Sequence, residues 1–480
     1  MRRYSVPHLR DFFLYLPSKI IIPFLILSLF FITYSETTAP VCHAGTGREE
    51  FIPTTLSNGM KVLVLERPST DTLTINLYIG IGRINEPESG AANLLLHMLF
   101  RGSNKYPAWE VTKEVAKMGG TLNYHVGYLS TMISISLPSN PAFPPLVKGD
   151  NPPCIPPLKK GGEGGFDKAI ALLGDIILNP VLDSDELDKE RTLILQKLTI
   201  LKDFPINRFS KEVMQRQFPA HPFGRSSEGT EDSVKKLSAE LLKSYHRRFY
   251  VPDNISVVIV GYVVKEEVEA MLTPLLSPPS QGGDRGGVGP KSPDSITPIA
   301  GCRIILNEHV TQAQIFVGRA ISGLNHKEKH ILLVMNQVLS GLNGRLFDTL
   351  RKKKGCVYSV GIWEAVYPDI GLWGVYAGTK TSELEVTEEL IVSELKKLVH
   401  QPIKYEELAT AQKLLETAIR VEYEPNGSLA HEVGSSLIKG EPILDMEDRI
   451  KLVQSVTAED IKSLAEKLFG NGEFNIIIMK

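Results

Sequence analysis

The sequence is short of several things. Its 480 residues carry 53 Lys and Arg against 55 Asp and Glu, a net charge of −2. No basic excess is left over for a nucleic-acid-binding surface. Cysteine is scarce: the four residues are widely scattered and form neither a metal-ligand cluster nor a disulfide framework. Cys42 lies beside the leader and Cys154 in a low-complexity segment, which leaves Cys302 and Cys356 for the folded part, with nothing to say whether they pair. The apolar run from Ile20 to Tyr34 falls short of the about 20 residues that a membrane-spanning helix needs. What remains is ordinary globular composition, 42% hydrophobic and 22% charged, long enough for two or more domains.

The N-terminus reads as an export signal. Arg2, Arg3, Arg10 and Lys19 precede the apolar run, and Val41-Cys42-His43-Ala44-Gly45 has the small residues of a signal-peptidase site. Residues 1–44 are therefore expected to be a signal peptide, or an uncleaved anchor. Lipidation at Cys42 is disfavoured by the lead-in Ala39-Pro40-Val41. Each option places the body outside the cytoplasm, in the periplasm or on the outer face of the membrane, with the membrane touched only through an uncleaved leader.

The most informative stretch is Gly90 to Gly102, GAANLLLHMLFRG, a short helix apolar at almost every position. His97 interrupts it, Asn93 stands one turn earlier on the same face, and Leu96 lies beside that face. In a zinc hydrolase helix of the H-x-x-E-H type, these three positions are His, Glu and His: two imidazoles hold the metal and the carboxylate activates its water. Here the frame of that motif remains with only the last of its groups.

Along the chain, Phe51–Glu66 reads as a hairpin around Leu56-Ser57-Asn58-Gly59-Met60, and 72–81 as a strand. A helix over 109–118 closes at Gly119-Gly120, two strands fill 121–137, and helices are expected over 167–178 and 184–202, with Pro180 between. A buried strand follows at 254–260. The pattern then restarts: strands at 303–306 and 311–317, helices at 327–339 and 346–353, strands at 356–365 and 371–379, four helices between 382 and 469, and a closing strand at 475–479. This predicts two α+β domains of similar size, residues 48–275 and 300–480, each a mixed or antiparallel sheet covered by helices, and an internal structural repeat. Two Pro/Gly-rich segments stand outside the pattern, an insert at 141–165 and a linker at 276–299. They lack the strand, helix and Lys-Ser/Thr ending of a phosphate-binding loop and read as surface insertions.

These pieces together resemble the insulinase/pitrilysin-type (inverzincin) metallopeptidase family, in the short form similar to mitochondrial processing peptidase subunits. The resemblance rests on Leu56–Met60, Asn93–Gly102, Gly119-Gly120-Thr121-Leu122-Asn123, Lys189-Glu190-Arg191, Tyr250-Val251-Pro252-Asp253-Asn254, Gly344-Arg345-Leu346-Phe347 with Leu350-Arg351, and Val456-Thr457-Ala458-Glu459-Asp460-Ile461. It implies that Asn93 and His97 occupy the zinc-histidine positions, Leu96 the position of the water-activating glutamate and Lys197 that of the third ligand. Three of the four groups are gone, so no metal site or catalytic set is expected on this chain. His97 then reads as a core histidine with a satisfied hydrogen bond. The family's substrate-contacting Arg and Tyr fall on Arg351 and Tyr358. Without the resemblance that pair reads as an exposed basic helix end and a core tyrosine.

The implied function is a non-catalytic, substrate-binding subunit of an exported zinc peptidase. Zinc is expected on a homologous H-x-x-E-H partner, and a peptide or unfolded protein between the two chains. A structural or peptide-binding member with no peptidase in its complex is the alternative. Unrecognised ligands such as His125 and His221 rank last, since neither has metal spacing to His97.

Overall fold

A computed structural model describes residues 51–108, 110–138, 165–275, 301–341 and 343–480. The leader, the 141–164 part of the insert and the 276–299 linker lie outside the described residues.

The first half opens with β1 (Thr54–Thr55) and β2 (Lys61–Glu66), which pair as the expected hairpin. β3 (Thr72–Ile79) leads to α1 (Ala91–Leu99) and α2 (Glu110–Lys117), then β4 (Thr121–Val126) and β5 (Thr131–Pro138). Helices α3 (Gly165–Leu178), α4 (Ser184–Asp203), α5 (Pro205–Gln217), α6 (Glu231–Lys236) and α7 (Ala239–Phe249) come before β6 (Ile255–Gly261) and α8 (Lys265–Leu275). The sheet order is β1-β2-β6-β3-β5-β4, parallel only between β2 and β6.

The second half repeats this plan. β7 (Arg303–Leu306) and β8 (Ala313–Ser322) are followed by α9 (His326–Leu339), a π-helical turn (Phe347–Lys353), β9 (Val357–Val366) and β10 (Ile370–Thr379). Helices α10 (Leu384–His400), α11 (Tyr405–Tyr423), α12 (Asn426–Lys439), α13 (Met446–Ser455) and α14 (Ala458–Phe469) precede β11 (Asn475–Met479). The order is β7-β11-β8-β10-β9, again with the first and last strands parallel. Leaving β1 aside, the two sheets match strand for strand, and the helices between them match in number and place. The expected internal repeat is therefore topological, although the two halves share little visible sequence.

Local chemistry explains the boundaries. Asp183 accepts from the backbone N–H groups of Asp185 and Glu186 to start α4, and Asn325 with Glu328 forms a capping box on α9. Gly440, in the left-handed region at φ 65°, ends α12. Residues 346–353, expected as an ordinary helix, form the wider π turn instead. Lys354 N–H bonds the Thr349 carbonyl and Cys356 N–H the Leu350 carbonyl.

Each sheet has a second covered face, and the cover comes from the other half. The inner face of the first sheet (Leu63, Leu65, Tyr78, Val258, Val260) packs on Leu429, Ala430 and Val433 of α12. The corresponding face of the second sheet (Phe316, Ala320, Leu372, Ile477) packs on Phe209 and Val213 of α5. This explains why β6, Ile-Ser-Val-Val-Ile-Val-Gly, is buried at every position and shows no alternation. Polar ties fix the exchange. Gln217 Oε1 accepts from Ala320 N at 3.0 Å and Asn475 Nδ2 at 2.9 Å. Asn426 Nδ2 donates to the Thr72 carbonyl at 2.6 Å.

Candidate functional site

Helix α1 is pressed into the core, with eight of its nine residues buried and His97 the exception. Gly90 begins it in the left-handed region at φ 90°, where a Cβ would lie 2.9 Å from the Glu228 carbonyl. Gly90 has no side chain to cap the helix, and Glu86 serves instead: its carboxylate accepts from Gly90 N at 3.2 Å and Ala92 N at 3.0 Å. Burial raises the Glu86 pKa to about 7, against the pull of those two donors and of Arg83 and Arg225.

His97 faces α4. Its Nδ1 is 3.0 Å from Glu190 Oε1, and Glu190 Oε2 accepts from Arg101 Nε at 2.5 Å. Glu190 and Arg101 are both buried. Burial alone would lift the Glu190 pKa, but His97 and Arg101 together pull it down. The carboxylate is therefore ionised and accepts a hydrogen bond from His97 Nδ1. Tyr124 of β4 meets the imidazole edge-on at 5.6 Å between ring centroids and stacks on Phe100 at 4.5 Å. His97 is thus held by an acid and a ring, with its side chain 18% exposed.

The other metal positions have changed character. Arg101 lies against Glu186 and Glu190, and His97 against Glu190, so α1 and α4 run in opposite directions. That register carries Asn93 towards the Lys197 end of α4. Asn93 is buried, and its Nδ2 has no hydrogen-bond partner among the described residues. Leu96 is fully buried in the core. Lys197 Nζ lies 3.4 Å from Glu228 Oε1, an acid that sequence inspection had not identified as its partner. Burial of Glu228 would raise its pKa, and Lys197 with Ser227 reverses the sign.

These residues do not fit zinc. The four positions offer one imidazole already bonded through Nδ1, an amide, an alkyl group and an ammonium. A catalytic zinc site needs three protein donors, and an ammonium repels a dication. Among the described residues no three His, Cys, Asp or Glu side chains come together as a metal site. His125 does not join His97: Tyr124 and His125 are neighbours on β4 and point to opposite faces of the sheet, and His125 lies 6.3 Å from the His431 ring of α12. His221 Nδ1 accepts from Phe223 N at 3.1 Å in a separate aromatic cluster with Tyr128 and Phe218.

Arg351 and Tyr358 flank the turn between the π-helical segment and β9. Arg351 is exposed and donates from NH1 to the Val357 carbonyl. Tyr358 is 52% exposed, so it is not a core tyrosine. β9 is an outer strand, as β4 is in the first sheet. Both candidate sites thus lie near the outer strand of their sheet, but on different helical segments: His97 is on α1, the counterpart of α9, whereas Arg351 is on the π-helical turn, the counterpart of α2.

Glu86 and Glu190 carry the α1 site without having been singled out by sequence reading. Glu190 had served only as a landmark in Lys189-Glu190-Arg191, and its link to His97 and Arg101 needs the packing of α1 on α4 to become visible. Glu86 had one local signal, an acid just upstream of a helix whose first residue cannot cap it.

Comparison with known proteins places this geometry. Residues 61–231 match the family described as Insulinase (Peptidase family M16), and residues 236–415 match the Peptidase M16 inactive domain. A protein of Rickettsia bellii described as an uncharacterized zinc protease is 24% identical over 438 residues, 90% of this chain and 98% of that one. Among solved structures, a protease from Helicobacter pylori superposes with a TM-score of 0.78 at 19% identity, covering 89% of this chain and 99% of that chain. A peptidase M16 inactive domain from Pseudomonas fluorescens gives a TM-score of 0.76 at 17% identity, with 89% and 97% covered.

Proposed function

The chain belongs to the insulinase (M16) peptidase family, and from that premise we propose that it is the non-catalytic, substrate-binding subunit of an exported zinc peptidase. It pairs with a homologous chain carrying an intact H-x-x-E-H helix, and peptide or unfolded protein is held between the two. The observation that carries this reading is the contrast between the two sites. Leu96 is sealed in the core and Lys197 is tied to Glu228, while Arg351 and Tyr358 remain open to solvent. The leader at residues 1–44 supports export.

In this reading the partner's H-x-x-E-H residues would hold a zinc that would supply an activated water, and this chain grips the peptide. A guanidinium has five N–H donors. Arg351 directs one at the Val357 carbonyl, which orients the group and leaves donors for a peptide carbonyl or the oxyanion that forms from it. The Tyr358 phenol supplies a further donor at the same turn. Arg351→Ala in a reconstituted pair is expected to lower kcat/KM roughly a hundredfold, the scale of removing one oxyanion donor. Unchanged activity would remove Arg351 from the substrate site.

A further inference from the structure

We infer that the loop Arg351-Lys352-Lys353-Lys354 selects acidic peptide segments, which rests on the peptide-binding reading above and names the substrate class of that site. Four consecutive cations are unusual in a chain of net charge −2 whose neighbouring cations are paired. Arg345 pairs with Glu407, Lys397 with Glu394, and Lys353 within the loop with Asp348 at 2.6 Å. Lys352 has the Phe347 ring beneath it at 5.7 Å and shares the charge of Asp348 with Lys353, Arg351 donates to a backbone carbonyl, and Lys354 is exposed. Among the described residues no carboxylate forms a direct ion pair with any of these three.

The bland alternative is a solvated helix end, where cations are favoured by the helix dipole. That accounts for loose, mobile side chains, but this loop is pinned. Leu350 and Cys356 are buried at its two ends, Cys356 N–H bonds the Leu350 carbonyl at 3.0 Å, and Lys354 N–H bonds that of Thr349 at 3.2 Å. Thr379 Oγ1 donates to the Cys356 carbonyl at 2.5 Å. Gly355 turns the chain at φ 64° with nothing within 4 Å of where a Cβ would stand, so glycine serves the backbone conformation there and not a lack of space. The four cations of residues 351–354 against the one carboxylate of Asp348 therefore leave a positive excess on a pinned backbone. Their mutual repulsion is relieved by a ligand of opposite sign, and the frame spares that ligand the cost of ordering the loop.

The neighbours of the loop favour a polypeptide as that ligand. Tyr358 offers an exposed ring, and the outer side of β9 offers backbone donors and acceptors that no strand among the described residues occupies. Between residues 343 and 366 no other large apolar side chain is exposed, which leaves nothing to insert into a lipid surface.

The test is fluorescence anisotropy of the reconstituted pair, stripped of zinc by a chelator so that nothing is cleaved, with labelled peptides identical except for four positions carrying Glu, Gln or Lys. The acidic peptide is expected to bind about tenfold more tightly than the Gln peptide at low ionic strength, with the gap closing at high salt as the charges are screened. The double variant K352Q/K354Q, its fold checked by circular dichroism, is expected to bring the acidic peptide to the affinity of the Gln peptide. Equal binding of Glu and Gln peptides overturns the inference and leaves peptide binding intact. No binding of any peptide overturns both. Capture by anionic lipid vesicles in preference to the acidic peptide overturns it in favour of a membrane surface.

Discussion

Glu86 enters the core at the start of the helix that carries His97, and its buried carboxylate is expected to make stability depend on pH. Its pKa is raised from 4.5 to about 7 in the folded protein. The stabilisation linked to its protonated form is complete below the unfolded value and is lost as pH rises through about 7. The neutral Glu86→Gln mimics the protonated acid. Its stability relative to wild type should therefore grow between pH 5 and pH 8, by at most about 3 kcal/mol. Thermal unfolding across that range checks it, and a constant difference would mean that Glu86 does not titrate there. Glu190 has the opposite sign: held low by His97 and Arg101, it stabilises above the ordinary carboxylate range and loses that contribution in acid. At this scale the sequence was partly legible. Asn93, Leu96, His97 and Lys197 could be found because they lie at motif positions. Glu228, Glu190 and Glu86 could not be assigned partners, because each acts across packed elements.

Helices α5 and α12 bind the two halves together by lying on each other's sheets, and this exchange was not foreseen from the chain. α12 is one of five helices where four were expected between 382 and 469, and nothing in its pattern says that it covers β3 and β6 and not its own sheet. α5 is not among the expected helices, although Pro205 stands at its first position, where proline is compatible with a helix. Its buried Phe209, Val213 and Gln217 recur every four residues, the signal that could have marked it. The strands were easier, since runs such as Ile255–Val260 leave few alternatives. The seat of α12 is tight: a Cβ on Gly434 would stand 2.2 Å from Cε2 of Tyr78, whose hydroxyl reaches the Ala430 carbonyl. Gly434→Ala should destabilise the protein by about 1–3 kcal/mol through overpacking, although alanine is the better helix former. Denaturant unfolding decides this, and a more stable variant would contradict so close a contact.

Across the whole molecule, two topologically matching halves each carry a candidate site near their outer strand, the α1 frame with Asn93, Leu96 and His97 in the first and the open Arg351/Tyr358 turn in the second. The repeat was legible as an alternation of strands and helices, and family membership as a set of short motifs spread over both halves. The frame survives because its burial, capping and helix packing do not depend on the metal: Leu96 fills core volume and Lys197 brings its own counter-ion, Glu228. The most direct test is to purify the tagged chain both alone and from its native envelope, and to quantify zinc and co-purifying chains in each preparation. The account predicts no zinc on the isolated chain, and a homologous H-x-x-E-H chain with about one zinc per pair in the native preparation. Stoichiometric zinc on the isolated chain would contradict it.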